Sequence, residues 1–303
     1  MKKMCFSLVD VFSSVRYAGN PLAVFMDVGD LDPAQMQAIA REINFSETTF
    51  VRSLQPAPHQ GYDVRIFSPT EELPFAGHPT LGTAFVIREQ LREKIRSQNL
   101  DSNPVSNLVL NLAVGPIPVE ISADNVFWMK QNAATIGPVL NHSTNVNSTK
   151  VAAALGLSLS DIHETWPIRE VSTGLPFLMV PLRGLEALGR SQVMGDRFSA
   201  LMAQTTAKGV FLFCEETRDK AHQFAARMFA PGLGIREDPA TGSANGCFAA
   251  YWGALGREVD AIVEQGYEMD RPSQVRIRGQ FNADILQISV GGEVVAIAQG
   301  FWG

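Results

Sequence analysis

The sequence predicts an α+β protein of two similar domains, each a mostly antiparallel β-sheet or barrel wrapped around one central α-helix. Three observations predict this fold: many short apolar runs bounded by Gly, Pro or Asn, two strongly apolar helical segments, and three motifs that recur in one order. A chain of 303 residues is long enough for about two domains of ~150 residues.

The first half alternates apolar runs with two helical segments. One helix is predicted at DPAQMQAIAREIN, where Asp32 is the N-cap and Pro33 the first helical residue. The other, GHPTLGTAFVIREQLREKI, is apolar nearly all round at its start, which indicates burial. The predicted strands are FSLVDVF, LAVFMDV, ETTFVRS, YDVRIFS, LVLNLA, IPVEIS and VFWMKQ.

The second half repeats this organisation. Strands are predicted at FLMVPL, GVFLFC and HQFAARMF, followed by the helix TGSANGCFAAYWGAL and closing strands through VVAIAQGF. Residues 132–150 are poor in apolar side chains, so the domain boundary is placed there. We predict domains at 1–138 and 139–303, with the final strand a candidate to return to the first domain.

Three pairs of motifs recur at similar separations, which is the mark of an internal duplication. The separations are 155, 162 and 160 residues. The pairs are GNPLAVF at Gly19 with GLPFLMV at Gly174, RIFSP at Arg65 with RMFAP at Arg227, and GHPTLGTAF with EDPATGSAN, which sets His78 against Asp238.

Composition excludes several classes of partner. The net charge of −6 and pI of about 5.4 argue against nucleic acid, and no run approaches the ~20 apolar residues of a membrane helix. Three scattered cysteines (Cys5, Cys214 and Cys247) favour a reducing cytoplasm without disulfides. Dinucleotide, Walker and paired-His or Cys-x-x-Cys motifs do not occur, so neither a cofactor nor a metal is expected.

The segments NFSETTFV, FAGHPTLGTA and EDPATGSANG, in this order, resemble the PhzF-like (phenazine biosynthesis) family, over essentially the whole chain. That family shares the diaminopimelate epimerase-like fold. The resemblance implies an active-site cleft between the two domains, a homodimer and no cofactor. The best understood members isomerise trans-2,3-dihydro-3-hydroxyanthranilate by moving a proton, whereas many others have no assigned substrate.

Glu47 is the general acid/base that the resemblance implies. A solvated glutamate at a strand end is the alternative, but its neighbours Phe45 and Phe50 are apolar, and burial would raise its pKa into a range useful for proton transfer. Its counterpart in the second repeat is Gly209, so the carboxylate is not duplicated. One base acting on one substrate face fits this asymmetry. Two neighbouring motif residues are predicted to bind substrate: Ser46 and Gly77.

His78 and Asp238 complete the predicted catalytic set: His78 stands at the start of one apolar helix, and Asp238 lies just ahead of the other. The positive end of a helix disfavours imidazolium, so a neutral His78 would hydrogen-bond the substrate. The amides of Gly242 and Ser243 would bind a substrate carboxylate, while Asp238 takes an ammonium or hydroxyl group. Simple helix capping, by Thr241 or Ser243 in the second repeat, is the structural alternative and is compatible with binding.

Three functions therefore stay open. The favoured one is a cofactor-independent isomerase that moves a proton on a small carboxylated, amino-bearing substrate. A racemase or epimerase on the same fold would need two facing thiols, and no cysteine occupies the matching positions. The third is a non-catalytic metabolite-binding protein. Arg65 and Arg227 are interpreted as structural strand charges and Asn20 as a turn residue. The loops at 98–107 and 132–150 are predicted to determine specificity.

Overall fold

A computed structural model describes most of the chain: residues 3–57, 61–97, 105–140, 147–283 and 285–303. The protein splits into two compact units, Met1–Lys130 with Gly291–Gly303, and Gln131–Val290. The predicted boundary between 138 and 139 stays a prediction. Residues 98–104 and 141–146 of the two predicted specificity loops lie outside the described residues.

Among its described residues, the first unit has nine strands arranged around helix α2. Strand β1 pairs antiparallel with β2 and with the C-terminal β18, β2 pairs parallel with β3, and β4 joins β3, β5 and β6. The elements are β1 Met4–Val11, β2 Asn20–Met26, α1 Pro33–Ile43, β3 Thr48–Val51, β4 Tyr62–Phe67, β5 Glu72–Leu73, α2 Gly77–Ser97, β6 Asn107–Leu112, β7 Gly115–Ile121, β8 Phe127–Lys130 and β18 Val294–Trp302.

Helix α2 is the core of this unit. Every residue in its first three turns is buried, and the helix contacts β1, β2, β3, β6, β7, β8 and β18. The approach is close at Gly82, where an added Cβ would lie 2.6 Å from Leu22 and 2.8 Å from Val11. The outer helix α1 begins as predicted, with the Asp32 side chain accepting from Ala34 N and a proline at the first helical position.

The second unit has the same plan with additional helices. Its elements are β9 Thr135–Leu140, α3 Ser148–Ala154, β10 Ile168–Ser172, β11 Pro176–Pro181, α4 Leu185–Arg190, α5 Gly195–Met202, β12 Gly209–Cys214, β13 Phe224–Ala230, β14 Ile235–Asp238, α6 Gly242–Ala254, β15 Val259–Gln265, β16 Ser273–Asn282 and β17 Ile285–Gly292, which ends just past the unit's boundary.

Helix α6 has the position of α2 in this unit. Ten of its residues are buried, and it contacts β9, β10, β11, β15 and β16. The segment 132–150, interpreted from its composition as a boundary, contains β9 and the start of α3. The sequence patterns also do not predict helices α4 and α5 or strand β10, because each of these elements is short and only partly apolar.

Strand register reproduces the duplication seen in the sequence. Strand β3 is parallel to β2 and antiparallel to β4, and β12 is related in the same way to β11 and β13. Equivalent antiparallel pairs lie 162 positions apart: Thr48 with Phe67 and Val210 with Phe229, then Phe50 with Arg65 and Leu212 with Arg227. The predicted α+β fold with a helix at the centre of each sheet is therefore confirmed.

Candidate active site

Glu47 lies at the junction between α1 and β3. Helix α1 ends with Asn44 in the left-handed conformation, and the chain then enters β3 one residue after Glu47. The Glu47 side chain is only 13% exposed, and its Oε2 lies 3.6 Å from Nε2 of His78. The structure therefore brings the predicted proton carrier next to the predicted histidine within one unit.

His78 is the second residue of α2 and is buried. Burial lowers its pKa to about 3, against a smaller opposite effect of a hydrogen bond to the Pro21 carbonyl, so the ring is neutral at neutral pH. Nε2 has no hydrogen-bond partner among the described residues, so we assign the proton to Nδ1, which donates to Pro21. The Nε2 lone pair is thus an acceptor beside the Glu47 carboxyl group.

Ser46 and Gly77 flank these two residues. Gly77 is the buried first residue of α2, and Ser46 Oγ lies 3.5 Å from Oδ1 of Asn20. The interpretation of Asn20 as a turn residue is wrong, because it is the first residue of β2, fully paired with Val11 and almost completely buried. A buried amide beside Ser46 is a site feature that sequence reasoning missed. The AGNP segment gave only a turn signal.

Asp238 occupies a different setting from His78. It is the last residue of β14, where it pairs with Met228, and α6 begins four residues later at Gly242. The N-cap position of α6 is Thr241, one of the two capping residues that the sequence suggests. Its hydroxyl does not cap α6 within the described residues but donates to Asp238 Oδ2 at 2.5 Å. Gly242 and Ser243 are the first two residues of α6, as expected.

The second repeat has no room for a counterpart of Glu47. An added Cβ on Gly209 would lie 2.9 Å from the Phe229 carbonyl oxygen, 3.1 Å from Ala230 Cβ and 3.2 Å from the Phe177 ring. Real Cβ atoms rarely approach main chain this closely, so any side chain at Gly209 would force the strands apart. Packing thus supports the sequence-based inference of a single carboxylate in the duplicated scaffold.

The three cysteines are free thiols on three separate elements. Cys5 is half-buried on β1, Cys214 ends β12 and Cys247 lies inside α6. Burial raises the pKa of Cys214 to about 12 and that of Cys247 to about 11. Since the thiolate is the reactive form, these two thiols are poorly suited to proton abstraction at neutral pH.

Within the part of the chain that the structure describes, no three His, Cys, Asp or Glu side chains are arranged to hold a metal ion. The same residues include no helix both long and apolar enough to cross a bilayer.

Comparison with known proteins identifies the family. The family model described as "Phenazine biosynthesis-like protein" (PhzC-PhzF) matches residues 9–300. The chain belongs to the PhzC-PhzF family. This PhzC-PhzF protein is 34% identical to an uncharacterised isomerase of Mesorhizobium japonicum over 310 residues, covering 99% of each chain. It is also 34% identical to the trans-2,3-dihydro-3-hydroxyanthranilate isomerase of Pseudomonas fluorescens over 306 residues, covering 97% of this chain and 98% of that one.

Solved structures agree with this assignment. The crystal structure of a PhzF-family protein from Bacillus anthracis matches with a TM-score of 0.85 at 25% identity over 100% of both chains. A hydroxyproline epimerase from Agrobacterium vitis, solved with bound trans-4-OH-L-proline, matches with a TM-score of 0.60 at 12% identity, covering 100% of this chain and 91% of that chain. The latter shows a shared fold alone. The resemblance inferred from the motifs is confirmed, and the protein is an enzyme of the PhzF-like isomerase family.

Proposed function

We propose that this protein is a cofactor-independent isomerase that moves a proton between two carbons of a small carboxylated, amino-bearing substrate. Glu47 is the general acid/base, and His78 and Asp238 complete the catalytic set. The observation that carries this proposal is the 3.6 Å approach of the Glu47 carboxyl group to the unpartnered Nε2 of a buried, neutral histidine.

The proton balance is simple. The Glu47 carboxylate removes a proton from one substrate carbon, and the electron pair of that C–H bond shifts into the substrate's π-system. The protonated Glu47 then returns its proton to a second carbon, which regenerates the carboxylate and leaves the substrate's composition unchanged. One group thus acts first as the base and then as the acid, and the proposed transfer uses no metal or organic cofactor.

His78 supports the intermediate stage of this transfer. A neutral imidazole whose Nδ1–H donates to Pro21 presents a lone pair at Nε2, and a protonated carboxyl group is a hydrogen-bond donor. A small closing movement from 3.6 Å would bring the two groups into a hydrogen bond. Because burial lowers the pKa of His78 to about 3, the imidazole is neutral at neutral pH and keeps its Nε2 lone pair for this hydrogen bond.

Substrate binding is assigned to Ser46, Gly77, Gly242 and Ser243. Backbone N–H groups in the first turn of α6 favour an anion such as a substrate carboxylate, and the buried Asp238 carboxylate favours an ammonium or hydroxyl group. A substrate carrying both an acidic and an amino group fits this combination. The relatives named trans-2,3-dihydro-3-hydroxyanthranilate isomerases act on a compound of this class. We also retain a homodimer and a cytoplasmic location as proposals.

The direct test is turnover of trans-2,3-dihydro-3-hydroxyanthranilate by purified protein, followed by chromatography. We expect the wild type to convert the compound and Glu47→Gln to lose at least ~10²-fold in kcat, the usual contribution of a general acid/base. Glu42→Gln, which removes an exposed carboxylate from the end of α1, is the matched control and should retain activity. Undiminished conversion by Glu47→Gln would contradict the assignment of Glu47.

A further inference from the structure

Four buried polar side chains meet where β14 ends, α6 begins and β15 ends. Asp238 and Thr241 are 7% and 8% exposed, Asn245 is 0% exposed and Gln265 is 1% exposed. Buried polar groups of this kind are costly unless they are hydrogen-bonded, and among the described residues Asn245 Oδ1 is an atom of this cluster without a partner. The hydrogen-bond pattern among these four residues has a defined direction.

The orientation of the Gln265 amide determines that direction. Its Oε1 accepts from Thr241 N at 3.2 Å and from Asn245 Nδ2 at 2.9 Å. Its Nε2 therefore faces two acceptors, the Asp238 carbonyl oxygen at 2.9 Å and Thr241 Oγ1 at 3.1 Å. Asn245 Nδ2 also donates to the Thr241 carbonyl at 3.0 Å, which holds the start of α6 in the same network.

The Thr241 hydroxyl has one proton to give. Since Gln265 Nε2 already donates to Thr241 Oγ1, the hydroxyl proton is directed to Asp238 Oδ2, 2.5 Å away. An N-cap threonine ordinarily uses its oxygen to accept a helix N–H, a contact worth ~1 kcal/mol. Within the described residues Thr241 makes no such capping bond. The Thr241 side chain at the N-cap position thus donates a hydrogen bond to the Asp238 carboxylate instead of accepting one from an N–H group of α6.

The first repeat offers an internal comparison. The motif alignment matches Thr241 with Leu81 and Asn245 with Phe85. Strands β6 and β15 occupy equivalent positions, each parallel to β4 or β13, and their strand pairings match Gln265 with Leu112. All three counterparts are buried and apolar. The polar network therefore occurs only in the repeat that carries a carboxylate at this motif position, which ties the network to Asp238.

We infer that Thr241 and Gln265, supported by Asn245, are positioning residues that hold the Asp238 carboxylate in one rotamer and present it to the substrate. The kinetic part of this inference rests on the proposed function, because it takes Asp238 as a substrate-binding group. The geometric part, that these residues fix the rotamer of Asp238, does not rest on the proposed function. Loss of the Thr241 hydroxyl leaves Asp238 Oδ2 without this donor, and loss of the Gln265 amide donor frees the Thr241 proton to turn away.

The first measurement is a crystal structure of each variant. We expect the Asp238 side chain to adopt a different χ1 rotamer in Thr241→Val and to keep its native rotamer in Thr241→Ser, which restores the hydroxyl. In Gln265→Glu the shape is preserved, but the donor is replaced by an acceptor. The Thr241 hydroxyl proton then turns to the new carboxylate, and we expect the Asp238 side chain to leave its native rotamer. An unchanged Asp238 rotamer in both Thr241→Val and Gln265→Glu would overturn the inference. Gln265→Glu decides the matter if Thr241→Val does not fold.

The second measurement is turnover of trans-2,3-dihydro-3-hydroxyanthranilate. We expect Thr241→Val to lose about tenfold in kcat/KM, mainly through a higher KM, because a hydrogen bond to a charged group is worth about that factor or more. Thr241→Ser should restore most of the loss, and Thr165→Val on the exposed surface is the control. Wild-type kinetics in Thr241→Val would overturn the positioning role. A wild type that does not turn over this compound would instead count against the proposed substrate, and the crystal structures would still decide the geometry.

Discussion

Arg65 and Arg227 occupy equivalent positions of the two repeats, and each makes a bidentate ion pair with a glutamate on the following strand. Nε and Nη2 of Arg65 contact Glu72 at 2.7 and 2.6 Å, whereas those of Arg227 contact Glu237 at 2.8 and 2.8 Å. Each guanidinium also lies over the aromatic ring two residues further along its strand, at 5.2 Å in the first repeat and 4.8 Å in the second.

The two pairs differ in burial. Arg65 and Glu72 are 25% and 37% exposed and line a cavity of about 240 Å³, whereas Arg227 and Glu237 are 9% and 14% exposed. Nη1 of Arg227 also donates to main-chain carbonyls at the end of α4, including that of Ser191 at 2.7 Å. Helix α4 thus covers in the second repeat the arginine whose counterpart lines a cavity in the first.

This difference shows how the two repeats of a duplicated scaffold differ around equivalent arginines. Both repeats retain the same strand pairing, and both use an arginine to tie two strands together ahead of the functional motif. The second repeat buries that arginine and ends the strand at Asp238, next to Glu237. The first repeat instead continues from β5 to a helix turn that carries His78. The predictions below test whether these differences have the expected energetic consequences.

The largest effect is expected at Arg227. Arg227→Met would leave Glu237 and several α4 carbonyls buried without their donor, so we expect the free energy of unfolding to fall by about 3–5 kcal/mol. The matched change Arg65→Met should cost only about 1 kcal/mol, because that pair is partly exposed. Urea unfolding measures both. Equal losses in the two variants would show that burial does not distinguish the repeats.

A smaller effect concerns the pH dependence that His78 adds to the first repeat. Its pKa is lowered to about 3 by burial, so between pH ~6.5 and ~3 the unfolded chain binds a proton that the folded chain does not. This contribution to stability is complete above pH ~6.5 and is lost as the pH falls, by about 2 kcal/mol between pH 7 and pH 5. His78→Gln should lack this component. If the free energy of unfolding of the wild type and of His78→Gln changed with pH in the same way, the buried, neutral state of His78 would be contradicted.

Gly209 tests the claim that the second repeat cannot accommodate a counterpart of Glu47. Because an added Cβ would press on strand β13 and on Phe177, Gly209→Ala should lower the free energy of unfolding by about 1–2 kcal/mol. Gly232→Ala is the control, since its Cβ would meet nothing within 4 Å. If Gly209→Ala left the free energy of unfolding unchanged, packing would not explain why the second repeat lacks a counterpart of Glu47.

The smallest effect is expected from thiol modification. Cys214 and Cys247 are buried and their pKa values are raised, so iodoacetamide should leave both unmodified in the native protein, as mass spectrometry would show. Turnover should stay near that of the untreated enzyme. Alkylation of Cys247 that abolishes turnover while ligand still binds would revive a thiol mechanism.

The features that the sequence predicts well are those that burial imposes directly. The long apolar runs identify α2 and α6, the motif spacings identify the duplicated strand pairing, and the neighbours of Glu47 identify a partly buried carboxylate. The family resemblance implies that Glu47 and His78 belong to one catalytic set, but their direct contact is seen only in the structure, since no spacing rule joins residues 31 positions apart.

Other features depend on tertiary contacts that leave no local pattern. Asp238 ends a strand whereas its counterpart His78 lies inside a helix turn, a difference that the motif alignment does not show. The capping preference of Thr241 is overridden by Asp238 and Gln265, which are brought together only by the β13–β15 sheet. The sequence likewise does not show which glutamates pair with Arg65 and Arg227, so their role in linking two strands is evident only from the structure.

Transfer of a proton by Glu47 is tested most directly by running the reaction with trans-2,3-dihydro-3-hydroxyanthranilate in D₂O and measuring deuterium in the substrate and product by mass spectrometry. The carboxyl proton of Glu47 exchanges with solvent, so the wild type and Glu42→Gln should incorporate deuterium. Glu47→Gln should incorporate none while binding the ligand with nearly unchanged affinity. Undiminished deuterium incorporation by Glu47→Gln would contradict the account.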